Sequence, residues 1–469
     1  MNWHTLLMIV FGYYVCLHVT YLVLIVTGAL QLRKYHLEIN FGEFQRIYDS
    51  PLTTPFSVIV PAYNEEKLIL TTVKSVLDSY YPVHEVIVVN DGSSDRTLQI
   101  LIEQFGLKPV ERARPRHFET KPIRGIYQSP DYPKLVVVDK ENGKRADAVN
   151  AAANLARYPL LCIIDADCIL EEDALLRAVR PFLHNSKVIA ASGIVLPANG
   201  LDVRDGRIWA PTLPTQWLSM FQMVEYVRSF QWARIGLAKF KSMLCISGAF
   251  LMVRKEVFVE LGGLDPESIT DDIDFTMKLN RYIYEHSAKG ERMEIAYVPD
   301  PVCYTEVPET MRVHAAQRNR WQRGTLRAVL KNLRMLFNPR YGAAGMFGMP
   351  FFLFFEALSA PIEGLSYALV PAMVFNGLAS WTELGLFFFV AVMLGTFLAV
   401  MGILLQETTR LRPAGVRDLA RLLFAGFLEN FGYHQMHLLW RLGGTFDYFI
   451  RRRTDLGLMQ RYGKYQKAT

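Results

Sequence analysis

The chain has 469 residues, a formal net charge of +6 and a hydrophobic content of 51%, which is long for one ordinary soluble domain and too apolar for a protein that never meets lipid. The charge is modest and no Lys/Arg run is interleaved with aromatics, which argues against a nucleic-acid surface and leaves the basic excess to the membrane side. The five cysteines are odd in number and include no C-x-x-C pair, so a disulfide framework or a zinc site is not expected, and a reducing compartment is.

Trp3 to Leu32 contains no Asp, Glu, Lys or Arg and then meets Arg33-Lys34. Such a stretch can cross the ~30 Å hydrocarbon core, which takes about 20 apolar residues, and its basic flank keeps the following segment cytoplasmic. Residues 1–34 are therefore expected to anchor the chain, since a cleaved signal peptide would need a basic leading region and a shorter apolar run.

Residues 50–310 read as a cytoplasmic α/β domain. The apolar runs Phe56 to Pro61, Glu85 to Asn90, Leu135 to Asp139 and Leu160 to Asp165 alternate with amphipathic segments beginning near Glu65, Ser94, Lys144 and Glu172. Near-continuous apolar strands alternating with helices predict a mostly parallel sheet buried on both faces, with ligands at the carboxyl ends of its strands.

Residues 311–342 are expected to form an interfacial helix, and Thr215 to Phe240 another, because both mix aromatics and Leu with Lys and Arg. In 343–450, Gly345 to Phe375 and Leu384 to Leu405 can each span, with Asn376 to Glu383 outside and Arg410, Arg412 and Arg417 inside. Leu419 to Phe449 carries Glu429, His434, Gln435, His437 and Arg441 and is expected to be a bent hairpin or re-entrant pair, with 451–469 a cytoplasmic tail. Within the first of these spans Glu356 and Glu363 lie two helical turns apart, where a carboxylate is costly unless it faces a cavity or a partner. They would border a polar path or simply bond between helices.

The chemistry lies in short strings at the ends of strands and the starts of helices. Pro61-Ala62-Tyr63-Asn64-Glu65-Glu66 follows the first strand, and Asp91 ends the second in a Gly/Ser turn whose backbone can approach a ligand closely. Asp91 can accept from the imide N–H of uracil, although Asp91-Gly92 and Asp95 alone would equally shape a turn and cap a helix. Lys144 and Arg145 open a helix that Asp147 continues, so a cation and a positive helix end can add to a diphosphate site. Ordinary surface charge would explain those two cations as well.

Asp165-Ala166-Asp167 sets two carboxylates at i and i+2 where a buried strand passes into a loop, oxygen ligands suited to Mg²⁺ or Mn²⁺. Thr270-Asp271-Asp272-Ile273-Asp274 starts another helix. Acids in a first turn are ordinary dipole partners, but inverting sugar transfer also needs a base for the acceptor hydroxyl, and Asp272 is the choice. Gln317, Arg320 and Trp321 fall on neighbouring helical positions, with an indole platform for a sugar face and hydrogen-bond donors for diphosphate or hydroxyls.

In order and spacing these strings resemble the processive branch of family 2 glycosyltransferases, which includes the synthases of cellulose, chitin, hyaluronan and poly-N-acetylglucosamine. The resemblance runs from about Pro55 to Gly324. It implies a GT-A fold, a UDP-sugar donor, a divalent metal (Mg²⁺ or Mn²⁺) and an inverting displacement that builds a β-linked glycan, the growing glycan being the acceptor. It implies nucleotide binding by Pro61, Ala62, Tyr63, Glu65, Asp91, Arg145, Asp147 and Asp165, and metal binding by Asp165 and Asp167. It also implies a base in Asp272, and acceptor or diphosphate contacts from Asp271, Gln317, Arg320 and Trp321. Among the branches the Asp-Ile-Asp continuation after Asp271 is most similar to bacterial poly-β-1,6-N-acetylglucosamine and chitin-oligosaccharide synthases, which makes UDP-N-acetylglucosamine the expected donor. Asp271 stands where the family usually has Glu, and Arg145 where Lys is common. No cyclic-dinucleotide-binding domain is recognisable, which weighs against cellulose.

The expected enzyme is thus a multi-pass protein of the inner (plasma) membrane with a cytoplasmic catalytic domain. It would polymerise and export its product, with room for accessory export or regulatory subunits. Addition of a single sugar to a lipid carrier is the alternative within the family, and an inactive scaffold or transporter that keeps the fold is the alternative outside it.

Overall fold

The computed structural model describes residues 3–38, 41–113, 115–210, 212–286, 292–409, 415–455, 457 and 463. Arg410, Arg412 and most of the expected tail lie outside them. The chain divides into two compact units. One joins Glu38–Pro214, Met243–Val307 and Arg461–Thr469, and the other Met1–Leu37, Thr215–Ser242 and Pro308–Gln460.

The first unit is built on a ten-stranded sheet. Its strands are β1 (Phe56–Ala62), β2 (His84–Asp91), β3 (Lys108–Pro109), β4 (Ile123–Gln128), β5 (Leu135–Lys140), β6 (Leu160–Ile164), β7 (Cys168–Leu170), β8 (Val188–Pro197), β11 (Phe250–Arg254) and β12 (Glu294–Thr305). A separate hairpin pairs β9 (Asp202–Arg204) with β10 (Arg207–Ala210). The sheet order is β3-β4-β5-β2-β1-β6-β11-β8-β12-β7.

The four apolar runs anticipated from sequence form the parallel block β5-β2-β1-β6. Every residue of these four strands is buried, which is why they read as continuous apolar runs. On the far side β11 runs antiparallel to both β6 and β8, and β12 runs parallel to β8. The sheet is therefore mixed: β4 also runs antiparallel to both β3 and β5, and the parallel description holds for the block β5-β2-β1-β6. In that block the register sets Ala62 beside Asn90 and Asp91 beside Lys140, so the carboxyl ends of β1, β2 and β5 share one edge, with Asp165 directly after β6.

Below this edge His84 is 2% exposed and its Nε2 lies 3.1 Å from the Val76 carbonyl. Burial, and then the Lys134 charge, push its imidazole down to about 4. Because the folded value lies below the unfolded one, the neutral ring favours folding above pH 6.5, and that contribution is lost as pH falls towards 4. Thermal melts between pH 7 and 4 should show a steeper loss for the native chain than for His84→Gln. Parallel curves would contradict the assignment.

The second unit is helical. Trp3–Glu38 and Trp381–Glu407 are each long and apolar enough to cross a membrane. Gly345 to Phe375, read from sequence as one span, is a pair of helices, Ala344–Ala357 and Ser359–Phe375, bent by 47°. Pro361 supplies the cause, since its ring cannot coexist with a helical carbonyl four residues earlier, at Ala357. The freed carbonyls are not left bare: Gln322 Nε2 donates to Ala357 O at 2.8 Å and an Arg441 guanidinium N–H donates to Glu356 O. Leu419 to Phe449 is broken into Val416–Leu428 and His434–Phe449, with non-helical Phe431 and Gly432 (φ 98°) between them.

Thr215–Ser242 falls inside the 50–310 span expected for the catalytic domain but belongs to the helical unit. Its Trp232 is fully buried, with the indole N–H donating to Gly402 O at 2.9 Å, so it is a packed residue and not an interfacial anchor. Gly28 of the first helix makes that packing possible, because a Cβ there would come within 2.7 Å of Trp232 O.

Candidate active site

The loops after β1 and β2 are laced together. Asn64 adopts a left-handed φ of 56°, its side-chain oxygen accepts from Ser94 N at 2.8 Å, and its own N–H donates to Ser93 Oγ at 3.0 Å. Glu65 N donates to Thr97 Oγ1 at 2.9 Å and Glu66 N to Asp95 Oδ2 at 3.1 Å. Asp95 and Glu66 thereby hold loop backbone, while Pro61 and Ala62 are buried strand residues and Tyr63 is 52% exposed. The turn also needs its glycine. Gly92 has φ +70°, and a Cβ there would lie 2.8 Å from Asn142 N.

Asp91 is 2% exposed and its Oδ1 accepts from Lys140 Nζ at 2.7 Å and Gly143 N at 3.0 Å. Burial pushes its carboxyl above the ordinary range, against the pull of Lys140 and the Gly143 N–H. Lys140, a residue that sequence reasoning passed over, also meets Asp147 Oδ1 at 2.5 Å and is itself wholly buried. Asp147 further accepts from Lys121 N. Asp147 thus shares the Lys140 ammonium with Asp91.

The structure gathers the other acidic strings around one guanidinium. Arg145 Nε donates to Asp165 Oδ1 at 2.8 Å, Nη1 to Asp271 Oδ2 at 2.6 Å and Nη2 to Gly248 O at 2.6 Å. Gly248 N in turn donates to Asp272 Oδ2 at 3.2 Å, while Asp272 Oδ1 accepts from Ile273 N at 2.9 Å in the first turn of the helix Asp271–His286. Burial works against the charge of Arg145, yet Asp165 and Asp271 hold its pKa above the ordinary value.

Asp165 has a side chain 31% exposed, whereas Asp167 is 1% exposed and accepts from Thr305 Oγ1 at 3.3 Å. Among the described residues no group of three or more His, Cys, Asp or Glu side chains is arranged to hold a metal ion. Two carboxylates at one loop still fit Mg²⁺ or Mn²⁺, which commonly take one or two protein oxygens and fill the remaining positions with phosphate oxygens and water. Thr305, at the end of β12, carried no signal in the sequence, because a hydroxyl closing a strand reads as ordinary.

Gln317, Arg320 and Trp321 lie on the helix Met311–Lys331 of the second unit and are each partly exposed. Arg318 between them is buried, forms a two-pronged pair with Glu225 at 2.8 Å and 2.8 Å, and stands 4.5 Å over the Trp321 ring. That pair fixes the rotation of the helix about its axis within its own unit.

Comparison with known proteins decides the family. The model described as "Glycosyl transferase family group 2" matches residues 160–404, and "Glycosyl transferase family 2" matches 57–121. The chain belongs to glycosyl transferase family group 2. This glycosyltransferase is 29% identical over 286 residues to "Probable glycosyltransferase YdaM" of Bacillus subtilis, covering 60% of this chain and 57% of the relative. It is 27% identical over 276 residues to "Poly-beta-1,6-N-acetyl-D-glucosamine synthase" of Staphylococcus epidermidis, covering 59% and 56%. The aligned region thus spans a little over half the length of these curated relatives. Among solved structures the glycosyltransferase resembles "Mannosyltransferase PcManGT from Pyrobaculum calidifontis in complex with GDP-Man and Mn2+", with a TM-score of 0.51 and 20% identity over 90% of this chain and 99% of that one. At that identity the likeness concerns the fold, which is of the GT-A type.

Proposed function

We propose that this family member transfers N-acetylglucosamine from UDP-N-acetylglucosamine, with inversion, to a growing β-linked glycan, at the cytoplasmic face of the inner membrane. The observation that carries this reading is the cluster at the carboxyl edge of the sheet, where Asp165, Arg145, Asp271, Gly248 and Asp272 are joined by consecutive hydrogen bonds. On this reading Asp91 receives the uracil and Asp272 takes the proton of the acceptor hydroxyl as that oxygen bonds to the anomeric carbon, while the bond to UDP breaks. Mg²⁺ or Mn²⁺ held by Asp165 and Asp167 would supply positive charge to the departing diphosphate. Gln317, Arg320 and Trp321 serve the acceptor. The relatives named as poly-β-1,6-N-acetylglucosamine synthases support the choice of sugar.

Membranes incubated with radiolabelled UDP-N-acetylglucosamine and Mn²⁺ should yield a high-molecular-weight product. A lipid-extractable monosaccharide would replace polymerisation by single-sugar transfer, and no incorporation would refute the reading.

Coupling to export is part of the proposal. The bent helix pair carries Glu356, which accepts from Tyr21 OH at 3.1 Å, and the 6%-exposed Glu363, 2.9 Å from His434 Nε2. Carboxylates partnered inside an apolar span suit a polar path for a glycan. Glu356→Ala and Glu363→Ala should lower the exported fraction several-fold while synthesis continues, measured by separating vesicle-enclosed from external polymer. Unchanged export would remove the path.

A further inference from the structure

We propose that Lys140 is a positioning residue for Asp91 and makes the donor site select uracil over cytosine. The inference rests on the function proposed above, in which Asp91 receives the uracil, and it assigns the base preference to a side chain whose own donors face the protein. Lys140 is wholly buried, and the three protons of its ammonium are committed to Asp91 Oδ1 at 2.7 Å, Asp147 Oδ1 at 2.5 Å and Glu141 O at 2.6 Å. An ammonium has three donors and no acceptor, so none is left for a ligand. The strands themselves set this pairing, because the register of β2 and β5 places Asp91 beside Lys140, and Asn142 Nδ2 holds the Asp91 carbonyl at 2.8 Å.

Asp91 divides its two oxygens between the protein and the site. Oδ1 accepts from Lys140 Nζ and from Gly143 N at 3.0 Å, whereas Oδ2 takes no hydrogen bond from the described residues. What Oδ2 can recognise depends on whether the carboxyl keeps its proton. As a carboxylate oxygen it only accepts, which matches the N3–H of uracil and opposes the N3 lone pair of cytosine. As the oxygen of a neutral carboxyl it can donate, and cytosine N3 then fits. Burial favours the neutral form; the Lys140 bond and charge and the Gly143 N–H favour the ionised one, and the Asp147 charge opposes it. Lys140 supplies the positive charge in this balance, and a buried carboxylate that loses such a partner takes up a proton instead.

The test combines Lys140→Met with Asp147→Asn, which removes the ammonium and the second charge but leaves an acceptor for Lys121 N, now 3.1 Å from Asp147 Oδ2. A proton taken up at this place then belongs to Asp91. The full chain in detergent with Mn²⁺ is titrated with UDP and with CDP by calorimetry at pH 6, 7 and 8. The ratio of the two affinities cancels the ionisation of the phosphates, which the nucleotides share. The native chain is expected to prefer UDP by at least about 10-fold at every pH, since CDP would leave a charged acceptor facing a second acceptor. In the double variant that preference should shrink by up to about tenfold per pH unit as pH falls and Asp91 is protonated, and should recover towards pH 8. Recovery also reports that the variant is folded. A preference equal to the native one at all three pH values would overturn the inference. Loss of UDP binding at every pH would overturn it too, leaving Lys140 a support of the fold alone. If the native chain binds CDP as well as UDP, the role of Asp91 proposed above fails first and this inference with it.

Discussion

Asp272→Asn is expected to lower the rate of transfer by about 10²–10⁴-fold, the range for removal of a positioned general base, while UDP still binds. The amide keeps the size of the side chain, and its oxygen can still accept from Gly248 N as Oδ2 does now at 3.2 Å. Neither Arg145 nor Asp165 loses a partner, since both are bonded to groups other than Asp272. What disappears is the capacity to take a proton. Single-turnover transfer read beside UDP calorimetry separates the two effects, and substantial residual transfer would refute Asp272 as the base.

The second large effect concerns stability. Lys140→Met should lower the melting temperature of the purified chain by roughly 10 °C, because breaking a buried ion pair from one side costs about 3–5 kcal/mol. The ammonium is wholly buried and lies 2.7 Å from Asp91 Oδ1 and 2.5 Å from Asp147 Oδ1. Methionine fills a similar volume but leaves two carboxylates facing each other without a counter-charge. Pairing the change with Asp147→Leu removes one of them and should restore part of the loss. A melt within 2 °C of the native chain would show that the trio is solvated in solution and that Asp91 does not depend on it.

The parallel block β5-β2-β1-β6 was legible because burial on both faces leaves an unbroken apolar record, as in Val86 to Val89 and Leu135 to Val138. The far side of the sheet was not. β8 is wholly buried yet includes Ala190, Ala191, Ser192 and Gly193, small residues that leave no hydrophobic signature. The acidic strings could be read because carboxylates at strand ends are chemically loud. Their supports were silent for stated reasons: Lys140 looks like surface charge until its burial is known, and Gly248 contributes only a peptide group, which no side-chain pattern records. Arg318 sat unremarked between Gln317 and Arg320 because only its pairing with Glu225, 93 positions away, reveals its role. Pro361 was visible in the sequence, but the side chains that cap the broken helix come from Gln322 and Arg441, which no local pattern connects to it.

The central claim is that these strand-end carboxylates form one donor site. Electron cryomicroscopy of the full chain with UDP and Mn²⁺ tests it directly. The expected map has the metal on Asp165 and Asp167, the uracil at Asp91 and the diphosphate between them. UDP and metal bound elsewhere, with Asp91 and Asp167 contacting neither, would contradict it.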